Sequence, residues 1–235
     1  MRLDKYISDA AAMTRSQSRK AIKSGRVSRA GQVLKDISLF VSEDEILFLD
    51  GEEMAYKKYV YIMLHKPAGV ISATEDKRQK TVLDLLPSSY SRYDLFPVGR
   101  LDIDTEGFLL LTNDGDLAHN MLSPNKDVGK TYFVRFEKDI TDEEITLLEN
   151  GVDIGVCITK PAKAERINKN EINLTITEGK FHQIKKMANA VGNSVAYLKR
   201  LAYGHFYLDE ALPKGAYREL LTEEVENLCK VYKRK

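Results

Sequence analysis

An α+β fold in two parts is predicted, a small N-terminal one and a larger one built on a mixed, largely antiparallel sheet flanked by helices. Three observations point there. β-rich runs at 59–64, 108–112, 131–136 and 172–177 and helical spacing at 116–122, 142–149, 180–191 and 223–231 do not alternate as a doubly wound sheet requires. At 235 residues and 43% apolar composition the chain has enough material for one or two cores. Charge is also divided along it: residues 1–35 hold nine Lys or Arg against Asp4 and Asp9, a net of +7, and the rest carries 27 cations against 33 acids, a net of −6. The formal +1 therefore conceals a basic head on a mildly acidic body, the pattern of a nucleic-acid-binding module joined to something else.

The elements follow in order. Leu3, Tyr6, Ile7, Ala10 and Ala11 form one apolar face of a first helix. Thr14 with Gln17 reads as a capping box opening a second helix, which Gly25 ends and which carries Arg15, Arg19, Lys20 and Lys23. Residues 27–33, turning at Ala30-Gly31, read as two short strands, and 46–49 as another. The polar stretch 49–58 is expected to be a linker between residues 1–48 and a second domain at 59–235. In residues 180–191 the expected apolar stripe is Phe181, Ile184, Met187, Ala188 and Val191. Lys185, about 40° from Phe181 on the wheel, borders it. An ammonium so placed needs an anion, which predicts a carboxylate from another segment beside it.

Several classes are excluded. No apolar run reaches the length of a membrane span and no signal-peptide core is visible, so the chain is expected in the cytoplasm with no membrane partner. Cys157 and Cys229 lie far apart, and the four histidines show no ligand spacing, which argues against a disulfide framework or a structural metal site. Neither a Walker A nor a GxGxxG sequence occurs, so no cofactor is expected.

The chemically richest stretch is 98–115, VGRLDIDTEGFLLLTNDG, with three acids and an arginine in a loop before an apolar strand. From the residues alone, Asp102 and Asp104 can be paired acids, metal ligands or turn residues, and a metal-dependent nuclease using Asp102, Asp104 and Asp114 is one reading.

Residues 1–48, with Arg2-Leu3-Asp4, Ser18-Arg19, Gly25-Arg26-Val27 and Gly31 in that order, resemble the S4 RNA-binding domain. Gly99-Arg100-Leu101-Asp102 with Thr105 and Gly107, then Lys130-Thr131-Tyr132, then Glu178-Gly179-Lys180 with His182-Gln183-Ile184-Lys185, resemble the successive motifs of the pseudouridine synthases. His65-Lys66-Pro67 upstream and Arg200-Leu201 with Gly204 downstream also fit, although His65 stands where asparagine is common. The match is nearest to the ribosomal small-subunit pseudouridine synthase A family.

That resemblance implies an rRNA isomerase with Asp102 as the essential aspartate, Tyr132 as the active-site tyrosine and Lys185 as the cation paired with Asp102. Arg100 would help displace the target base. Arg15, Arg19, Lys20, Lys23 and Arg26 of the head, with Lys180, His182 and Gln183, would contact RNA. Pseudouridine formation breaks N1–C1′, turns the uracil and joins C5 to C1′, with no redox change or group donor. Asp102 attacks the sugar or takes a C2′ proton, and Tyr132 stacks on the uracil and takes the C5 proton or orients a water that does. The expected partner is 16S rRNA in an assembling small subunit, the expected state a monomer. The alternatives are 23S rRNA as target, or a non-catalytic ribosome-assembly factor.

Overall fold

The computed structural model describes residues 1–54 and 56–232. Its contacts divide the chain into two compact units, residues 1–60 with 87–94, and 61–86 with 95–235.

In the first unit, α1 (Leu3–Ala10) and α2 (Arg15–Lys23) precede β1 (Val27–Arg29), β2 (Gln32–Val33), β3 (Leu47–Leu49) and β4 (Glu52–Met54). The strands form an antiparallel sheet in the order β2-β1-β3-β4. Leu3, Tyr6, Ile7, Ala21, Ile22, Val27 and Leu47 make its core. The capping box is present: Thr14 Oγ1 accepts from Gln17 N while the Gln17 side chain accepts from Thr14 N. The stretch expected as a linker is partly structured, because β4 returns along β3 through Asp50-Gly51, with Asp50 at a φ of +53°. Its charged residues hid a short edge strand whose side chains are mostly in solvent.

The basic helix is anchored by an acid. Asp4 is fully buried, and Arg2 Nε, Arg15 Nη1 and Arg19 Nε reach its carboxylate at 3.2, 3.1 and 2.9 Å. Burial alone would raise the Asp4 pKa, but hydrogen bonds from Arg19 and Arg2 hold it below its ordinary value. The stabilisation is thus fully present above the ordinary carboxylate range and is lost as pH falls from there through the lowered Asp4 value.

The second unit is a nine-stranded sheet. Its strands are β5 (Tyr61–Lys66), β6 (Phe96–Pro97), β7 (Glu106–Thr112), β8 (Lys130–Phe136), β9 (Lys163–Asn168), β10 (Glu171–Ile176), β11 (Val195–Tyr203), β12 (Phe206–Tyr207) and β13 (Tyr217–Glu219). The main order is β13-β5-β7-β11-β8-β10-β9, with β6 on β7 and β12 on β11; β7–β11 is parallel and the other pairs are antiparallel. Every residue of β5 and β7 is buried, which explains their unbroken apolar runs, whereas β10 alternates and covers one face. α3 (Gly115–Leu122), α4 (Asp142–Asn150), α5 (Gln183–Ala190) and α6 (Thr222–Tyr232) complete the unit. Asp114, a ligand in the nuclease reading, caps α3 by accepting from Leu117 N, and Tyr61 Oη donates to its other oxygen at 2.7 Å. β7 and β11 approach so closely at Gly107, whose φ is +110°, that an added Cβ would sit 2.2 Å from the Arg200 carbonyl oxygen.

Candidate active site

The loop between β6 and β7 carries Asp102, and its shape is imposed from beneath. Lys66 ends β5 fully buried, and its Nζ donates to the carbonyls of Pro67, Asp102, Ile103 and Thr105 at 3.1, 3.0, 3.4 and 2.9 Å. Burial pushes the Lys66 pKa down to about 8 against the pull of Asp104 and Asp102. Ser72 Oγ donates to the Leu101 carbonyl and accepts from its N–H, at 2.9 and 3.0 Å. With the backbone held by these contacts, the Asp102 carboxylate is free to face outward.

It faces a small cleft lined by Arg100, Tyr132, His182 and Lys185 together with the apolar Ile176 and Leu198. Tyr132, on β8, is 8% exposed. Lys185, on α5, reaches Asp102 Oδ2 at 3.3 Å, yet holds both Asp104 oxygens more closely, at 2.6 and 2.8 Å. Desolvation would lower its pKa, and the hydrogen bond to Asp104 with the charges of both acids raises it instead. The Lys185 hydrogen bond in turn holds Asp104 below the usual carboxylate range. The carboxylate expected beside Lys185 is present, and there are two of them.

Helix α5 begins later than its spacing suggests. His182 takes a left-handed conformation (φ +53°, ψ +36°), so residues 180–182 form a turn and Phe181 leaves the apolar stripe. Phe181 is 71% exposed, stacks on the His182 ring at 3.8 Å and lies under the Lys186 amine; the buried face of the helix is Gln183, Ile184, Met187 and Ala188. His182 Nε2 lies 3.7 Å from Asp102 Oδ1, an ion pair when the ring is protonated.

Other residues expected to contact RNA are differently employed. Gln183 is buried, donating to Glu178 Oε1 and accepting from Lys180 N, so its amide is used in fastening the turn rather than presented to a ligand. Lys180 Nζ lies 3.3 Å from Glu178 and 2.9 Å from Cys157 Sγ. In the head, Arg15 and Arg19 bind Asp4 and Arg26 binds Asp50, each with about half its side chain exposed. Lys20 and Lys23 are exposed and make no ion pair among the described residues. Nothing in the sequence gives Lys66 a role beyond its place in the His65-Lys66-Pro67 motif and at the end of an apolar run, because its partners are backbone carbonyls that no residue pattern reveals.

Comparison with known proteins is consistent along the whole chain. Residues 60–190 match the RNA pseudouridylate synthase family and residues 1–47 the S4 domain. An uncharacterised RNA pseudouridine synthase of Bacillus subtilis is 51% identical over 97% of this chain and 98% of the relative. A ribosomal small subunit pseudouridine synthase A of Vibrio cholerae is 39% identical over 98% of this chain and all of the relative. A solved pseudouridylate synthase, 35% identical, superposes with a TM-score of 0.68 over 97% of this chain and 99% of its own.

Proposed function

The chain belongs to the pseudouridine synthases, in the ribosomal small-subunit pseudouridine synthase A family, and from that premise we propose that it converts the family's uridine 516 site in 16S rRNA during small-subunit assembly. It is an RNA isomerase. The observation that carries the site assignment is one cleft holding Asp102, Tyr132 and Lys185, with Lys185 3.3 Å from Asp102.

In this reading Asp102 acts on the ribose. Asp104 takes the two shorter contacts with Lys185, so the ammonium holds Asp102 by Oδ2, and Oδ1, with His182 Nε2 3.7 Å away, is the oxygen turned to the sugar. Tyr132 offers a flat face to the uracil, with Ile176 and Leu198 closing the cleft around it. A stacked uridine cannot reach Asp102, so the base must be flipped at a cost of a few kcal/mol, and Arg100, exposed on the rim, is placed to hold the displaced strand. Phosphate contacts from the head fix the register.

Lys20 and Lys23 are the head residues to test. The double variant Lys20→Glu/Lys23→Glu is expected to weaken rRNA binding and to lower the slope of log affinity against log salt by about two, one per lost phosphate contact. An unchanged slope would show that Lys20 and Lys23 do not touch RNA phosphates.

Target choice is tested by mapping pseudouridine in 16S and 23S rRNA from cells with and without the gene. Loss of a single 16S pseudouridine is expected; a loss confined to 23S rRNA overturns the assignment. The reading also places the protein in the cytoplasm, acting as a monomer.

A further inference from the structure

The sheet face that presents Tyr132 also holds two cations, one buried and one half-buried, that the chemistry above leaves unused. Lys130 lies two residues before Tyr132 on β8, hence on the same face, and Arg200 is the register partner of Tyr132 on β11. Arg200 is 1% exposed; its Nε donates to the Phe108 carbonyl at 2.8 Å, and its Nη2 is buried without a hydrogen-bond partner. Lys130 Nζ donates to the Val128 carbonyl at 3.0 Å. Both cations crowd one ring, at 5.0 and 5.2 Å from the centroid of Tyr203. Among the described residues neither has a carboxylate within ion-pair distance.

A cavity of about 430 Å³ opens beside them, lined also by Arg100, Lys160, Lys180 and Glu178. Two of these cations are matched: Lys160 by Asp127 at 2.6 Å and Lys180 by Glu178 at 3.3 Å. Glu178 also accepts from Lys160 N and Gln183 Nε2, so it is already heavily committed. Among the described residues Lys130, Arg200 and Arg100 remain without an acid at ion-pair distance. Burial drives the Lys130 pKa down to about 8, and the Arg200 charge pushes it the same way against the weaker pull of Asp127 and Glu178. Two like charges taken out of water are costly unless an anion joins them, and the arrangement offers an oxyanion several charged donors at once.

We propose that this cavity is a phosphate subsite in which Lys130 and Arg200 hold a backbone phosphate flanking the flipped uridine. The ligand chemistry is a phosphate oxyanion, and its source in the RNA rests on the function proposed above. Cross-strand pairing with Tyr132 puts the anion next to the ring that receives the base. A nucleotide leaves the stack by turning about its flanking phosphates, so a grip at this point favours the flipped state over the stacked one. It also accounts for an arginine in the middle of a buried sheet.

The test uses the full-length protein with Lys130→Met, which keeps most of the side-chain volume without the charge, and Lys130→Arg, which keeps the charge. Inorganic phosphate, compared with chloride at equal ionic strength, is expected to raise the wild-type Tm saturably, to leave Lys130→Met at the chloride value and to stabilise Lys130→Arg. On an rRNA fragment that the wild type modifies, Lys130→Met is expected to raise KM about ten-fold, the scale of one charge-assisted contact, with Lys130→Arg restoring most of it. A neutral methylphosphonate at one of the two phosphates flanking the target should impose a similar penalty on the wild type and little on Lys130→Met. Equal phosphate shifts in wild type and Lys130→Met, or none in either, overturn the subsite. A phosphate shift lost in Lys130→Met together with equal methylphosphonate penalties overturns the RNA source and leaves a site for free phosphate. Failure of the 16S assignment appears separately, as absent turnover of 16S fragments, and leaves the inorganic phosphate arm decisive.

Discussion

Asp102→Asn is expected to lower pseudouridine formation by about 10⁴-fold or more while rRNA affinity stays within about two-fold, because the amide keeps the size and polarity of the side chain but loses the nucleophilic and basic oxygen. The loop should survive the change, since Lys66 and Ser72 grip backbone atoms rather than the Asp102 carboxylate. Tritium release from C5-labelled uridine in rRNA measures the rate, and residual turnover above about 1% would remove Asp102 from the reaction. Asp104→Asn supplies the contrast. Lys185 then has Asp102 as its remaining acid in the cleft, so the loss is expected to be nearer ten-fold, the scale of a charge-assisted hydrogen bond rather than of the chemistry. Equal losses in the two variants would contradict the division of roles between the neighbouring acids.

Lys66→Met is expected to destabilise the protein by about 3 kcal/mol, because the carbonyls of Pro67, Asp102, Ile103 and Thr105 lose their buried donor together. For a chain of this size that corresponds to a fall in Tm of roughly 6–12 °C. Turnover should fall further than stability explains, since below the transition the Asp102 loop no longer has its fixed backbone. Calorimetry alongside turnover measured well below the Tm separates the two effects. A variant that melts within about 2 °C of wild type and retains turnover would show the amine to be incidental. Methionine is the informative replacement because it preserves most of the packing volume and removes only the donors.

Much of the fold is legible where local chemistry and packing agree. Thr14 and Gln17 announce α2, and the apolar runs of β5 and β7 announce strands covered on both faces. β11 escaped because Lys199 and Arg200 interrupt its apolar pattern; Arg200 is tolerated at 1% exposure only through contacts with Phe108 and Tyr203 that no local window contains. Phe181 was misplaced for the opposite reason. The helical spacing is present, but His182 in the left-handed region turns the chain and puts the ring into solvent. In the site, Asp102 and Asp104 are indistinguishable as a pair near Gly107, and the resemblance to known synthases favoured Asp102. That Lys185 would hold both required the helix and loop to be seen together.

The position of β11 also governs when this enzyme can exist. β7 and β8 are consecutive long strands, yet they do not pair with each other; β11, which begins at Val195, enters between them. A ribosome that has delivered residues 61–176 has therefore delivered strands whose central partner is still unmade, with Tyr132 able to pair with Leu174 on β10 but lacking Arg200 on its other side. Such long-range closure is slow and comes late. The growing chain thus carries its basic N-terminal unit well before it has a finished sheet, and the order of synthesis makes RNA attachment available earlier than modification.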